Sequence, residues 1–372
     1  MFFDYKLKHY NFRLVLYVLA LNVLGVFLIG SATNHDPVYV NKQLLGISVG
    51  CAVVLILSLI NYHWLCSLAG LIYAGCIGLL VVVLAFGTVV NNARRWLELP
   101  GIGQIQPSEF VKIGLIIFFS WYFGKYQEKI NHPRILFAAV GLLLIPMYLI
   151  YEEPDLSTTL VTLVIFLCIV FAAGISYRWI AGTLAVSMPL AALFIYLLQY
   201  NMIPFIKEYQ GRRILAWIDR AKYADANIQQ DNSIMAIGSG LLHGKGLNNN
   251  SLASVKNGNF LSEDQTDFIF ALVGEELGFI GCSIVIIIIG LVVFECLLMA
   301  SRAVDMTGKL ICTGLAALIA FQSFTNIAVA TGVFPNTGLP LPFISYGVSS
   351  LMSMYMGVGV ALNVGLQRKS SN

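Results

Sequence analysis

The chain has 372 residues, of which 58% are hydrophobic and only 11% are charged, and its formal net charge is +3. A soluble domain of this length would carry about a quarter charged residues, so the composition excludes an ordinary soluble enzyme and predicts a polytopic membrane protein. The basic residues are spread along the chain, which gives no indication of nucleic-acid binding. All seven cysteines fall in apolar runs without CxxC spacing, which argues against a disulfide framework or a zinc site.

Ten apolar runs are long enough to cross a hydrocarbon core, which needs roughly 20 residues of helix. In chain order they lie near 11–32, 41–61, 64–87, 108–124, 134–151, 156–174, 178–200, 268–299, 309–334 and 343–366. A polar loop containing glycine and proline separates the third run from the fourth. The sequence therefore predicts one all-α transmembrane domain over 1–372, with about ten helices and a large loop at 201–266 between helices seven and eight.

The orientation follows from lysine and arginine, which are enriched in short cytoplasmic loops. With the N-terminus inside, the short outer loops hold Lys42, Arg94 and Arg95, with Lys112 just inside the next helix. The inner segments hold Lys6, Lys8, Arg13, Lys125, Lys129, Arg134, Arg178, Arg302, Lys309, Arg368 and Lys369. Both termini are therefore expected in the cytoplasm, and the 201–266 loop is expected outside.

The first polar cluster lies around the start of the fourth span. Arg95 and Trp96 precede it, and Gln106, Pro107 and Ser108 suit a helix start. Within the helix, Glu109 and Lys112 are three residues apart and share one face. The two interpretations are a self-satisfying ion pair and a cationic, hydrogen-bonding cluster for an anionic ligand.

A second acidic cluster, Glu152-Glu153-Pro154-Asp155, runs into the sixth span. Asp155 fits a helix cap, and a role in the same outer site is the alternative.

The third cluster opens the eighth span, where Asp267 begins a helical pattern that stays apolar to about Met299. Some 33 residues of helix would extend about 50 Å, so Asp267 is expected at or above the outer boundary. On one continuous helix Glu276 would point away from Asp267 and Glu275 would lie about 80° around, so both glutamates are expected to satisfy helix partners. The alternative for Asp267 is a helix cap.

The 201–266 loop contains an amphipathic stretch at 212–228 and a glycine-rich stretch at 237–247. Arg212 and Arg213 suit phosphate oxygens, or an amphipathic helix lying on anionic headgroups. Together the clusters suggest an outer pocket with one available carboxylate and several cations, which fits a general base acting beside a phosphate-bearing lipid.

Blocks across residues 90–365 resemble the SEDS family (shape, elongation, division and sporulation), which includes RodA, FtsW and SpoVE. They occur in family order and comprise Arg95-Trp96-Leu97, Gln106-Pro107-Ser108-Glu109 with Lys112, Pro154-Asp155-Leu156-Ser157-Thr158, 236–240, 244–246, Thr266-Asp267-Phe268-Ile269-Phe270, 275–278 and 338–347. The lack of a long N-terminal extension before the first span favours the RodA-like branch.

This resemblance implies a ten-helix peptidoglycan glycosyltransferase that polymerises lipid II on the outer face of the bacterial cytoplasmic membrane. Asp267 would take the proton from the acceptor hydroxyl. Lys112, Arg95 and a divalent cation (Mg or Mn, with Glu109 and Asp267 as possible ligands) would stabilise the departing pyrophosphate. The implied partners are a class B penicillin-binding protein, which is a transpeptidase, and other proteins of the elongation or division complexes.

The chain departs from the family pattern at four positions. Ser262 and Gln265 stand where proline and histidine are frequent, and Leu241 and Val348 replace glycines. The change at 265 puts a histidine role in proton transfer in doubt, whereas none of the four alters Asp267.

Two other functional classes stay open at this point. A lipid II transporter, or flippase, would place charges near the membrane midplane, whereas the predicted clusters gather at the outer boundary. A non-enzymatic scaffold that recruits the transpeptidase is the other alternative.

Overall fold

The computed structural model describes residues 9–90, 93–99, 103–199, 208–248 and 265–367. The helices in these ranges are α1 (Phe12–Ala32), α2 (Pro37–Leu59), α3 (Tyr62–Ser67), α4 (Ala69–Phe86), α5 (Pro107–Lys125), α6 (Pro133–Glu152), α7 (Leu156–Ala172), α8 (Tyr177–Gln199), α9 (Glu208–Ile218), α10 (Ala224–Ser239), α11 (Ile269–Ser301), α12 (Met306–Ala330) and α13 (Val348–Leu366). The polytopic all-α prediction is confirmed.

Eight helices in the described part of the chain are long and apolar enough to cross a membrane. Two further predicted spans fall outside this group for physical reasons. The helix α7 has 17 residues, and α5 carries Glu109, Lys112 and Lys125 within its 19 residues. The third predicted span is two helices, because the chain turns at Leu68 between α3 and α4.

Local sequence signals explain where several helices begin. The α2 helix starts at Pro37, earlier than the predicted 41, because Asp36 accepts a hydrogen bond from the Val38 N–H at 2.9 Å. Asp155 caps α7 through the Thr158 N–H at 3.0 Å, and Asp305 caps α12 through the Gly308 N–H at 2.8 Å. The start of the last span was predicted too early, since α13 begins at Val348 rather than 343.

The helices α5, α12 and α13 form the buried centre of the bundle, and α8 is exposed along most of its length. A short antiparallel sheet, absent from the prediction, occupies the loop between α4 and α5. Its strands are β1 (Thr88–Val90), β2 (Ala93–Leu99) and β3 (Gly103–Ile105) in the order β1-β2-β3, with Leu97 opposite Ile105. This sheet fixes Arg95 at one end of the bundle.

The prediction of one continuous helix from Asp267 to Met299 is wrong. The helix α11 is broken at Gly278, which has a φ of 65° and a ψ of −164°. A Cβ atom there would lie 2.3 Å from the Gly244 nitrogen, so the break requires glycine. The projection of 100° per residue across this helix therefore does not hold beyond Leu277.

The glycine-rich stretch of the large loop satisfies the backbone groups that the break leaves open. The Phe279 and Ile280 N–H groups donate to the carbonyls of Leu241 and Leu242 at 2.9 and 3.2 Å. In the opposite direction, the Lys245 and Gly246 N–H groups donate to the carbonyls of Glu275 and Glu276 at 2.9 and 3.0 Å. Irregular backbone at membrane depth is tolerated only when it is satisfied in this way.

The expectation that Glu275 and Glu276 have partners is confirmed, although the partners differ in kind. Glu275 pairs with Lys245 of the loop at 2.8 Å, and Glu276 accepts from the Ser31 hydroxyl of α1. Both glutamates are buried.

Candidate functional site

The connecting segment, residues 331–347, joins α12 to α13 and organises the site. Its prolines at 335, 340 and 342 cannot donate backbone hydrogen bonds, and Gly332 and Gly338 adopt positive φ angles of 78° and 72°. The segment therefore runs as irregular backbone, and its carbonyl groups accept hydrogen bonds from side chains of α7, α9 and α12.

Asp267 lies in the turn at 265–268, which rests on the connecting segment. The Ser345 hydroxyl donates to the Thr266 carbonyl at 2.6 Å, and the Asn326 amide donates to the Asp267 carbonyl at 2.8 Å. The Tyr346 N–H donates to the Gln265 carbonyl at 2.9 Å. The backbone of the turn is thus fixed from three directions before α11 begins.

The Asp267 side chain is partly exposed beside Gly338. Its Oδ2 atom is 3.2 Å from the place where a Cβ of residue 338 would stand, so this glycine keeps space beside the carboxylate. The N-cap of α11 is Phe268, whose side chain forms no capping hydrogen bond. Asp267 therefore does not occupy the N-cap position that the helix-cap alternative gave it.

Glu109 and Lys112 form the buried pair inside the bundle. Lys112 is 0% exposed and Glu109 is 3% exposed, and their Nζ and Oε1 atoms are 2.8 Å apart. Lys112 also donates to Gln322 Oε1 at 2.9 Å, and the Ser353 hydroxyl is 3.4 Å from Glu109 Oε2. Of the two interpretations of this cluster, the geometry favours the self-satisfying ion pair.

Two amides of α12 connect the buried pair to Asp267. Gln322 accepts from Lys112 and donates to the Pro340 carbonyl at 3.0 Å. One turn later, Asn326 donates to the carbonyls of Leu339 and Asp267 at 2.7 and 2.8 Å. Sequence reasoning missed both amides, although polar residues four apart inside an apolar helix are a recognisable signal of function.

The arginine corner comprises Arg95, Glu153, Pro154 and Asp155. Arg95 Nε donates to the Glu153 carbonyl at 3.0 Å, its Nη2 donates to the Pro154 carbonyl, and its Nη1 is 3.8 Å from Asp155 Oδ2. Asp155 both caps α7 and pairs with this guanidinium.

Gln106 completes the corner from the start of α5. Its amide nitrogen is 3.2 Å from both Asp155 Oδ2 and the Ser108 hydroxyl, and its backbone N–H donates to the Ser349 hydroxyl at 3.1 Å. Gln106 therefore links Asp155, at the start of α7, to Ser108 of α5 and to Ser349 of α13.

Glu153 is the unusual member of the arginine corner. Its side chain is 0% exposed, and neither carboxyl oxygen has a hydrogen-bond partner among the described residues. Burial raises the pKa of Glu153 to about 8, the neighbouring Asp155 raises the pKa further, and Arg95 partly opposes the shift. Glu153 is therefore a neutral acid at pH 7, which leaves Asp155 as the anion nearest to Arg95.

A cavity of about 200 Å³ opens beside the corner and brings Arg95 and Arg213 into one wall. Ser157, Asn336 and Thr337 line it, and Thr337 directly precedes the Gly338 that faces Asp267. The cationic cavity and the Asp267 carboxylate thus adjoin consecutive residues of the connecting segment.

Arg212 and Trp96 do not line this cavity. Arg212 pairs with Asp225 on the exposed surface of the loop helices, while the adjacent Arg213 donates to the Asn336 carbonyl at 3.4 Å. Trp96 follows Arg95 on β2, so its side chain points to the opposite face of the strand.

No group of three or more His, Cys, Asp or Glu side chains in the described ranges could hold a metal ion. A hard divalent cation needs several oxygen ligands, and Glu109 is already engaged by Lys112. Glu109 and Asp267 therefore do not form a fitting ligand set for a divalent cation.

The family described as cell cycle protein, which comprises FtsW, RodA and SpoVE, matches residues 12–370. The chain is 32% identical to the probable peptidoglycan glycosyltransferase FtsW of Geobacter metallireducens, over 98% of this chain and 97% of that one. It is also 32% identical to the peptidoglycan glycosyltransferase MrdB of Escherichia coli K12, over 97% and 95% of the two chains.

Two solved structures share the fold. A chain from a peptidoglycan synthase complex, studied for its coordination of polymerization and crosslinking, matches with a TM-score of 0.79 and 28% identity, over 96% of this chain and 97% of that one. The rod shape determining protein RodA of Thermus thermophilus matches with a TM-score of 0.69 and 27% identity, over 97% and 98% of the two chains.

Proposed function

This chain belongs to the FtsW, RodA and SpoVE family of cell cycle proteins, and we propose that it is a peptidoglycan glycosyltransferase that polymerises lipid II. The observation that carries the proposal is the juxtaposition of Asp267, the glycine beside it and the cavity that contains Arg95 and Arg213. A carboxylate next to a cationic cavity is what transfer of a sugar from a pyrophosphate requires.

In the proposed reaction, Asp267 accepts the proton of the acceptor sugar hydroxyl. The hydroxyl oxygen forms a bond to the anomeric carbon of the donor, and the bond from that carbon to the pyrophosphate oxygen breaks. Undecaprenyl pyrophosphate leaves with the electron pair of that bond. Asp267 is suited to the role of base because its backbone is held in place and its partly exposed carboxylate lies beside Gly338.

We assign stabilisation of the leaving pyrophosphate to Arg95 and Arg213 rather than to Lys112. Lys112 is fully buried and its ammonium group is shared between Glu109 and Gln322. Arg95 is about a quarter exposed and borders the cavity, and an arginine fork matches phosphate oxygens. The buried pair then has a supporting role, because Lys112 fixes Gln322 and Gln322 holds the connecting segment at the Pro340 carbonyl.

The membrane setting of the proposal follows from the distribution of charge in the sequence. Lysine and arginine favour cytoplasmic termini, which supports the assignment of Asp267 and the arginine corner to the outer face of the cytoplasmic membrane. A class B penicillin-binding protein is the proposed partner, because the similar chain comes from a synthase complex in which polymerization and crosslinking are coordinated.

Polymerisation of labelled lipid II by the purified protein, with and without the transpeptidase, tests the proposal. Asp267→Asn should lower the rate of glycan strand formation by about 100-fold or more, because a positioned base typically contributes 10²–10⁴-fold. Asp36→Asn is the matched control, since asparagine also caps helices well and Asp36 caps α2 without lining the cavity.

Three outcomes separate the alternatives. Strand formation that persists at the wild-type rate in Asp267→Asn would exclude Asp267 as the base. Wild-type protein that moves labelled lipid across vesicles with its partner, yet forms no polymer, would identify a transporter. Protein that only stimulates the transpeptidase would identify a scaffold.

A further inference from the structure

A second, larger cavity lies at the end of the bundle opposite to Asp267. It has a volume of about 470 Å³ and is enclosed where α1 begins and where α11 and α13 end. Arg13 and Arg302, both exposed, border it, and the distribution of basic residues puts this end in the cytoplasm. Nothing in the proposed polymerisation uses this cavity.

A carboxylate is built into the wall of this cavity. Glu295 is 6% exposed and lies in α11, nearly two turns before the helix ends. Asn11 holds it, donating from Nδ2 to Glu295 Oε2 at 2.8 Å while its own Oδ1 caps α1 through the Leu14 N–H at 3.2 Å. Among the described residues no donor is bound to Glu295 Oε1. A buried acid in a membrane helix is costly and marks a functional site by default.

The rest of the lining combines the polar side chains of His9 and Tyr10 with apolar ones. Leu298 and Met299 form part of the wall, and Phe12, which is 67% exposed, borders the opening. An apolar chain can therefore leave the cavity along the surface of the bundle without losing contact with lipid. This combination fits a membrane lipid better than a water-soluble ligand.

The charges of the cavity select the headgroup. Two arginines favour a phosphate, whereas Glu295 opposes a ligand that is only anionic and favours an ammonium group. We propose that this cavity binds a glycerophospholipid of the inner leaflet whose headgroup carries a primary amine, with the phosphate at Arg13 and Arg302 and the ammonium at Glu295. The inference is independent of the proposed polymerase activity.

Native mass spectrometry of the full-length protein in detergent tests this without any variant. Phosphatidylethanolamine should bind at least tenfold more tightly than phosphatidylcholine, whose quaternary ammonium cannot donate a hydrogen bond, and more tightly than phosphatidylglycerol, which lacks an amine. Equal retention of the three lipids, or a preference for phosphatidylglycerol, would overturn the proposal. If free phosphoethanolamine binds as tightly as the lipid, the assignment of the ligand as a membrane lipid would be wrong.

Variants then assign the groups. Glu295→Gln should weaken binding of phosphatidylethanolamine about tenfold and strengthen binding of phosphatidylglycerol, since it removes both the charged acceptor for the ammonium group and the repulsion of an anionic ligand. Arg13→Gln combined with Arg302→Gln should weaken both lipids. Arg178→Gln is the matched control, because Arg178 is exposed at the start of α8 and does not line the cavity. Unchanged selectivity in Glu295→Gln protein that melts like wild type would contradict the role of the acid.

Discussion

Two polar regions on the Asp267 side of the bundle accommodate buried charge in different ways. In the buried pair, Lys112 and Glu109 neutralise each other, and Gln322 and Ser353 occupy further hydrogen-bonding positions. In the arginine corner, Arg95 and Asp155 attract each other, but the adjacent Glu153 has no partner for its carboxyl oxygens within the described residues.

The difference indicates that the two regions serve different purposes. A compensated pair inside a bundle is a structural element, since it gains nothing from a ligand. The arginine corner retains a guanidinium that borders a cavity and a carboxyl that stays neutral only below a pKa of about 8. It is therefore the region where ligand charge and pH should have effects, whereas the buried pair should respond to neither.

The largest expected effect comes from breaking the buried pair. Lys112→Met leaves the Glu109 carboxylate buried without its partner, and loss of one member of such a pair typically costs about 3–5 kcal/mol. The variant should show a markedly lower melting temperature in detergent and no strand formation. Adding Glu109→Gln removes both charges and should restore most of the melting temperature. A single variant that melts like wild type would show that the pair has no structural role.

A smaller effect, dependent on pH, should come from Glu153. The pKa of this carboxyl is raised from 4.5 to about 8 in the folded protein, so its contribution to stability is fully present below pH 4.5 and is lost as the pH rises through about 8. The loss arises because ionised Glu153 would be a buried carboxylate without a hydrogen-bond donor among the described residues. Glu153→Gln, which cannot ionise, should remove this loss.

Melting temperatures of wild type and Glu153→Gln between pH 5 and 9 provide the measurement. The two should converge at the acid end, and the variant should be the more stable at pH 9. Parallel curves over the whole range would mean that Glu153 ionises normally, and the contrast between the two regions would then disappear.

The sequence predicted the features that depend on neighbouring residues. The spacing of Glu109 and Lys112 placed them on one face of α5, and Asp155 was recognised as a cap of α7, because one helical turn determines both relations. Most span boundaries were right to within a few residues for the same reason. The start of α2 shows the limit of the hydrophobic pattern, because the Asp36 cap begins this helix at Pro37, before the apolar run predicted to start at 41.

Features that depend on distant segments could not be predicted. The positive φ of Gly278 is tolerated because residues 241–246 supply donors and acceptors to the broken helix, and no local pattern in α11 shows this. The burial of Glu153 likewise results from packing rather than from its neighbours in the sequence. The break at Gly278 limits the 100° projection to the residues before it, where Glu275 and Glu276 have the partners that were expected.

The smallest effects should separate two adjacent arginines of α9, and they sharpen the comparison at the arginine corner. Arg213 borders the cavity, so Arg213→Gln should lower kcat/KM for labelled lipid II about tenfold, which corresponds to about 1.4 kcal/mol of lost transition-state stabilisation. Arg212 forms an exposed ion pair with Asp225, and such pairs contribute only about 0–1 kcal/mol. Arg212→Gln carries the same change of charge on the same helix and should alter kcat/KM less than about twofold. If both variants lose activity equally, the loop helix attracts the substrate through its net charge, and the cavity does not distinguish the two residues.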